Sequence, residues 1–153
     1  MIKEGQKAPA FSLPSSEGGE ISLKSLKGKA VVLYFYPKDD TPGCTREACA
    51  FRDAQAAIKN TGAVVLGVSP DSLEAHGEFT AKYKLNFPLL SDPDKAVAKK
   101  YGAFGEKVLY GKKMMGMIRS TFVIDDAGVV RKVFPRVKVD GHDEKVLAVL
   151  REL

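Results

Sequence analysis

The clearest pattern in the chain is an unbroken apolar run from Ala30 to Tyr36 that stops at Pro37. Seven apolar residues without polar alternation are typical of a strand that is covered on both faces. A second run, Val64 to Val68, lies just before Ser69-Pro70 and predicts another strand. Between the two runs, apolar residues recur at helical spacing and predict a helix from about Pro42 to Asn60. The residues of this apolar face are Phe51, Ala54 and Ile58.

The remainder of the chain alternates between helical and strand patterns. It predicts helices at 72–83, 94–101 and 143–153, an extended piece at 87–90, and strands at 119–124 and 129–134 joined by a hairpin turn. Residues 1–29 are interpreted as a lead-in with short strand-like segments. Residues 102–118 carry four glycines and three methionines and are interpreted as a loop with irregular pairing.

The order of these elements predicts an α/β domain with a thioredoxin-like fold. A strand, a helix and a strand of this length imply a right-handed parallel crossover. A strand hairpin and a closing helix complete a mixed central sheet flanked by helices, with one helix inserted between the two halves. The chain has 153 residues, of which 44% are hydrophobic and 28% charged, and this suits a single domain spanning 1–153.

Composition narrows the range of partners and compartments. The net charge is +5, but the lysines are scattered among acidic residues, which favours a mixed solvated surface over a nucleic-acid patch. No apolar run approaches the roughly 20 residues of a membrane span, and the first residues lack the apolar stretch of a signal peptide. We therefore expect a cytoplasmic protein that binds neither nucleic acid nor membrane. The two cysteines, at Cys-x4-Cys spacing, suit neither a disulfide scaffold nor a zinc site.

The predicted helix after the first strand opens with Thr41, Pro42, Gly43 and Cys44. Thr41 suits the N-cap, because its hydroxyl can accept a free backbone N–H, and Pro42 suits the first helical position. Cys44 then lies third in the helix, near unpaired N–H groups and the positive end of the helix dipole, where thiolate is favoured over thiol. A free cysteine is often only a small buried hydrophobe. The convergence of these signals at one helix start favours a nucleophile instead.

These residues resemble the active site of a known family. The segment around Pro37, Thr41 and Cys44 is similar to the peroxidatic-cysteine motif Pro-x-x-x-Thr-x-x-Cys of the peroxiredoxins. Cys49 alone would be interpreted as a buried residue among alanines, but it resembles the resolving cysteine of the bacterioferritin-comigratory, or Q-type, group. Arg119 and the residues after it are similar to the second active-site segment of the family, and the resemblance runs nearly end to end.

The resemblance implies an atypical two-cysteine peroxidase with a peroxiredoxin-type N-terminal extension. Cys44 would reduce hydrogen peroxide or an organic hydroperoxide and become a sulfenic acid, and an intrachain disulfide with Cys49 would follow. Thioredoxin or a glutaredoxin-like dithiol would recycle this disulfide, with no cofactor and no metal, in a monomer that serves antioxidant defence. The N–H groups of Gly43 and Cys44, and the Arg119 cation, can polarise the O–O bond, while Thr41 can hold the peroxide in line.

Three further residues have weaker claims on the chemistry. Glu47 lies three residues after Cys44 on the same helix face, and its carboxylate would oppose a thiolate unless it pairs with Arg119 or Arg46. It is therefore predicted to be a supporting residue, together with Pro37, Pro42 and Gly43. His76 and His142 are interpreted as ordinary polar positions, on a helix face and near a helix cap.

Two alternatives remain open at this point. The chain could be a thiol–disulfide oxidoreductase or redox sensor without peroxide turnover, or a noncatalytic binding module on a thioredoxin-like core. A Thr-x-x-Cys motif together with a later arginine favours the peroxidase, because disulfide exchange requires neither.

Overall fold

The structure is a computed structural model that describes all 153 residues. In chain order, the strands and helices are β1 (Ser12–Pro14), β2 (Glu20–Ser22), β3 (Val31–Phe35), α1 (Pro42–Asn60), β4 (Val64–Ser69), α2 (Leu73–Tyr83), β5 (Leu89–Ser91), α3 (Ala96–Tyr101), β6 (Phe104–Leu109), β7 (Lys112–Met117), β8 (Ser120–Ile124), β9 (Val130–Phe134) and α4 (His142–Arg151). A short 3-10 helix, Lys24–Leu26, follows β2.

Strand β3 lies at the centre of a five-stranded sheet with the order β5-β4-β3-β8-β9. It pairs in parallel with β4 and antiparallel with β8, so the predicted mixed sheet and parallel crossover are confirmed. All five residues of β3 are buried, as expected for a strand covered on both faces. The register places Phe35 opposite Ser120, so the end of β3 lies beside the start of β8.

Two apolar clusters fill the two faces of this sheet. Because side chains alternate along a strand, Val31, Leu33 and Phe35 face one cluster, whereas Val32 and Tyr34 face the other. Helices α1, α2 and α4 pack on the second face, and α3 and the N-terminal segment cover the first. None of the helices combines the length and apolar character that crossing a membrane requires.

Residues 102–118 form a regular hairpin, so their prediction as an irregular loop is wrong. Strands β6 and β7 pair antiparallel over six residue pairs and form a sheet of their own. The turn consists of Tyr110 and Gly111, both with positive φ, which is the conformation that tight hairpins favour. Most residues of the two strands are exposed or only partly buried, so the sequence lacks the alternation that marks a half-buried strand. The tip is exposed, with Tyr110 at 96%.

Candidate active site

Helix α1 begins at the carboxyl end of β3, where open α/β sheets place their sites. Pro42 is its first residue, and the carbonyl of Thr41 accepts the first helical hydrogen bond, from the N–H of Thr45. Cys44 is therefore third in the helix, within the turn whose N–H groups lack helical partners. Its side chain is buried, with 2% of the residue exposed. The predicted position of Cys44, third in a helix that starts at Pro42, is confirmed.

Arg119 reaches Cys44 from the opposite side of the site. It directly precedes β8, so the pairing of β8 with β3 brings it to the edge where α1 starts. Its Nη2 donates to the sulfur of Cys44 at 3.2 Å. A Cβ atom at Gly43 would lie 3.1 Å from the same nitrogen, so the glycine leaves room for this approach. A fixed positive charge thus contacts the only sulfur at the helix start.

The second arm of the guanidinium is held by Glu47. Nη1 of Arg119 donates to Oε1 of Glu47 at 2.8 Å, which is the first of the two pairings considered from the sequence. Arg46 pairs instead with Asp140 on the surface. Burial raises the pKa of Glu47 to about 7 against the opposing pull of Arg119, and its Oε2 has no partner. Glu47 therefore orients Arg119, although burial of its carboxylate away from water destabilises the ionised form.

Thr41 does not use its hydroxyl as the predicted helix cap. The backbone of Thr41 has the extended conformation of an N-cap, but no helical N–H donates to its side chain. Its Oγ1 instead donates to the carbonyl of Lys38 at 2.9 Å. With the hydroxyl proton used in this way, the oxygen keeps lone pairs that can accept a hydrogen bond from a hydroperoxide. Pro37 lines a shallow cleft of about 280 Å³ that also exposes Arg119.

Cys49 lies on the same helix but apart from Cys44. Helix α1 is continuous from Pro42 to Asn60, and both cysteines are free thiols. Five residues of regular helix separate the two Cα atoms by about 8.7 Å, whereas a disulfide requires roughly 4.4–6.8 Å. The structure therefore holds the two thiols apart.

Both histidines are buried, which their interpretation as ordinary polar positions missed. His142 begins α4, where its Nε2 lies 2.8 Å from the hydroxyl of Thr121. Burial, with the nearby Lys145 and Arg119 cations, lowers its pKa to about 4. His76 on α2 contacts Asp39 in the loop before α1. Asp39 lies in the loop after a buried strand, four residues beyond its end, which is the one sequence signal that could have singled it out.

The elevated pKa of Glu47 predicts a specific pH dependence of stability. A carboxyl group whose pKa rises from 4.5 to about 7 on folding destabilises the folded state as the pH increases through that interval. The loss amounts to roughly 3 kcal/mol at most. Glu47→Gln is expected to remove this slope, which urea unfolding at pH 5 and pH 8 would measure.

The depressed pKa of His142 acts in the opposite direction, so the comparison must be between variants. Because the pKa of His142 falls from 6.5 to about 4 on folding, the free energy of unfolding increases as the pH rises from about 4 to 6.5. The difference between wild type and Glu47→Gln cancels this contribution. Glu106→Gln, at an exposed position, provides the matched control. A Glu47→Gln profile parallel to that of the wild type would contradict the assignment.

The fold and the arginine-bound cysteine define a thiol-based redox protein, and comparison with known proteins gives its family. A sequence model described as the AhpC/TSA family matches residues 4–133. A Coxiella burnetii protein, provisionally named peroxiredoxin bcp, is 55% identical over 149 residues, covering 97% of this chain and 99% of the relative. Peroxiredoxin Bcp of Bacillus subtilis is 45% identical over 152 residues, covering 99% and 97%.

Solved structures agree with the sequence comparison. A cysteine-to-serine mutant of Xylella fastidiosa PrxQ superposes with a TM-score of 0.92 at 35% identity, over 99% of this chain and 97% of the other. A Xanthomonas campestris bacterioferritin comigratory protein, described in terms of its alkyl peroxide reduction, gives 0.88 at 41% identity, over 93% and 90%.

The chain therefore belongs to the AhpC/TSA family and, within it, to the bacterioferritin-comigratory, or Q-type, peroxiredoxins. It is a thiol-dependent peroxidase with a thioredoxin-like fold.

Proposed function

We propose that Cys44 is the peroxide-reacting thiol of this peroxidase. The contact between Arg119 Nη2 and the Cys44 sulfur carries the proposal, because it places a permanent cation where thiolate must form. The thiolate attacks the terminal oxygen of a hydroperoxide, an S–O bond forms and the O–O bond breaks. The departing oxygen takes up a proton and leaves as water or an alcohol. Cys44 is left as a sulfenic acid.

The neighbouring groups divide the work of this step. The N–H groups of Gly43 and Cys44 and the guanidinium of Arg119 stabilise the negative charge that develops on the leaving oxygen. The Thr41 hydroxyl accepts a hydrogen bond from the hydroperoxide O–H and holds the O–O bond in line. Glu47 fixes the orientation of Arg119. Pro37 and Pro42 shape the loop and the helix start.

Cys49 resolves the sulfenic acid within the same chain. Its thiolate attacks the Cys44 sulfur, an S–S bond forms, and the hydroxyl leaves as water. Because regular helix keeps the two Cα atoms about 8.7 Å apart, the first turns of α1 must unwind for this bond to form. The reduced structure, with two separated thiols on one helix, is the starting state for such a change.

A dithiol protein then returns the enzyme to its reduced state. We assign this role to thioredoxin or a glutaredoxin-like protein, with hydrogen peroxide and organic hydroperoxides as substrates and antioxidant defence as the outcome. The proposal includes a cytoplasmic monomer with no nucleic-acid or membrane partner. Peroxide-dependent NADPH consumption with thioredoxin and thioredoxin reductase tests it. Disulfide exchange without peroxide consumption would instead support an oxidoreductase.

Cys49→Ser is expected to separate the two half-reactions. The variant should react with peroxide to form the sulfenic acid, fail to recycle with thioredoxin, and be oxidised by a second equivalent of peroxide to sulfinic acid, since no thiol captures the sulfenic acid. Mass spectrometry of peroxide-treated protein measures each species. In the wild type it should find a linkage between residues 44 and 49 of one chain. An exclusively interchain disulfide would rule out this resolving step.

A further inference from the structure

A buried polar cluster lies directly behind the active-site loop and takes no part in the chemistry described above. It joins Asp39, in the loop between β3 and α1, to His76 of α2, whose side chain is 0% exposed. Nδ1 of His76 lies 2.6 Å from Oδ2 of Asp39, and its Nε2 lies 3.0 Å from the carbonyl of Leu90 on β5. Tyr36 donates its hydroxyl to the other oxygen of Asp39 at 2.6 Å.

The hydrogen-bond partners determine where the protons lie. A carbonyl oxygen only accepts, so Nε2 of His76 carries a proton toward Leu90. Two lone pairs cannot face each other at 2.6 Å, so a second proton lies between Nδ1 and Asp39. Tyr36 donates to the other oxygen of Asp39, so both carboxyl oxygens are bonded. His76 and Asp39 therefore share one proton across a short buried hydrogen bond.

Other bonds extend this attachment of the loop. The N–H of Asp39 donates to Asp71, whose same oxygen also accepts from Ser69 at the end of β4. Asp40 accepts from Lys82 and Tyr83 of α2, although this second contact is exposed. The carboxylates of Asp39 and Asp71 lie close enough to His76 to suggest a cation site. The contact between Asp39 and His76 is already a hydrogen bond, which an ion would have to break.

We propose that His76, through its buried hydrogen bonds to Asp39 and Leu90, is a positioning residue that fixes the active-site loop, so that unwinding of α1 begins beyond Thr41 and leaves the loop in place. The inference rests on the proposed function, because it concerns the unwinding that joins Cys44 to Cys49. Removing one partner of a buried pair strongly destabilises the local structure, because the other partner is left without its hydrogen bond. The loop is thus attached to α2, β4 and β5, whereas the first turns of α1 are held mainly by the two bonds that Arg119 makes to Cys44 and Glu47.

The experiment compares three variants with the wild type. His76→Phe removes both ring hydrogen bonds. Asp39→Asn is the conservative variant, because its amide can donate to Nδ1 of His76 and accept from Tyr36, which keeps the attachment. Lys82→Ala removes one of the two exposed bonds from α2 to Asp40 and is the matched control, since exposed ion pairs contribute little.

Amide exchange in the reduced and disulfide forms measures where unwinding begins. In the wild type, amides at 45–48 should lose protection on oxidation, while the Asp39 amide stays protected. His76→Phe should lower Asp39 protection at least about tenfold in both forms and slow Cys44 oxidation without slowing disulfide formation. Asp39→Asn and Lys82→Ala should resemble the wild type. Nitrogen-15 spectra should show Nε2 of His76 protonated and Nδ1 hydrogen-bonded in both the wild type and Asp39→Asn.

The possible failures are distinguishable. If amides 45–48 stay protected in the disulfide form, the resolving step of the proposed function is wrong. If they open and the wild-type Asp39 amide opens with them, the positioning role of His76 is wrong. A His76 Nδ1 that makes no hydrogen bond in the wild type, or Lys82→Ala loosening the loop as much as His76→Phe, also overturns it. Where His76→Phe does not fold, the wild-type exchange pattern and the two nitrogen-15 spectra decide.

Discussion

Replacing Cys44 with serine is expected to abolish peroxide reduction. Serine keeps the size and shape of the side chain and can accept the hydrogen bond from Arg119, so the fold should be retained. Its hydroxyl does not ionise near neutral pH, and oxygen cannot form the sulfenic acid on which the cycle depends. The NADPH-coupled assay with thioredoxin and its reductase should therefore show no peroxide-dependent consumption.

Cys49→Ser is the matched control, since it removes a thiol from the same helix. It should still consume a first equivalent of peroxide in the absence of a reductant, and a second one as the sulfenic acid is over-oxidised. Circular dichroism and thermal unfolding should be similar for both variants, because each change replaces sulfur by oxygen in an otherwise intact helix. Sustained turnover by Cys44→Ser would show that another group reacts with peroxide and would end the assignment.

Replacing Arg119 with alanine should produce the second-largest loss. The guanidinium contacts the Cys44 sulfur and, through its other arm, Glu47. Removing one such charge-stabilising donor costs roughly 3–4 kcal/mol in other enzymes, or about a hundredfold or more in rate. The second-order rate constant of Cys44 with hydrogen peroxide, measured by stopped flow, is the quantity expected to fall.

Two further substitutions show whether geometry or charge is responsible. Arg119→Lys keeps the charge but loses the two-armed fork that joins Cys44 to Glu47, so it should also be impaired. Arg131→Ala removes an exposed arginine that pairs with Asp125 away from the site, and it should react at the wild-type rate. An unchanged rate in Arg119→Ala would refute the role of the guanidinium.

The parts of this protein that were predictable from sequence are those specified by neighbouring residues. The buried strand before Pro37, the helix start at Pro42 and the crossover to β4 each follow from contiguous signals. Cys44 could be placed third in its helix for the same reason. The family resemblance then supplied Arg119, whose approach to the sulfur depends on strand pairing.

The features that sequence reasoning missed depend on contacts between distant residues or on tertiary context. Asp39 and His76 are 37 residues apart, and nothing in the local pattern of α2 shows that a histidine there is fully buried. Thr41 occupies the predicted N-cap position, but its hydroxyl donates to the carbonyl of Lys38 and does not accept from a helical N–H. Both partners are local, and the sequence does not decide between them. The β6–β7 hairpin was missed because its mostly exposed strands lack the alternation of a half-buried strand.

The separation of 75 residues between Cys44 and Arg119 has a consequence for the growing polypeptide. A ribosome releases the cysteine well before the arginine, and the two meet only when β8 pairs with β3. Until that late event the sulfur lacks its guanidinium partner. In nascent and misfolded copies, Cys44 is therefore a thiol without a neighbouring cation. The high reactivity of Cys44 with oxidants develops only when synthesis is nearly complete.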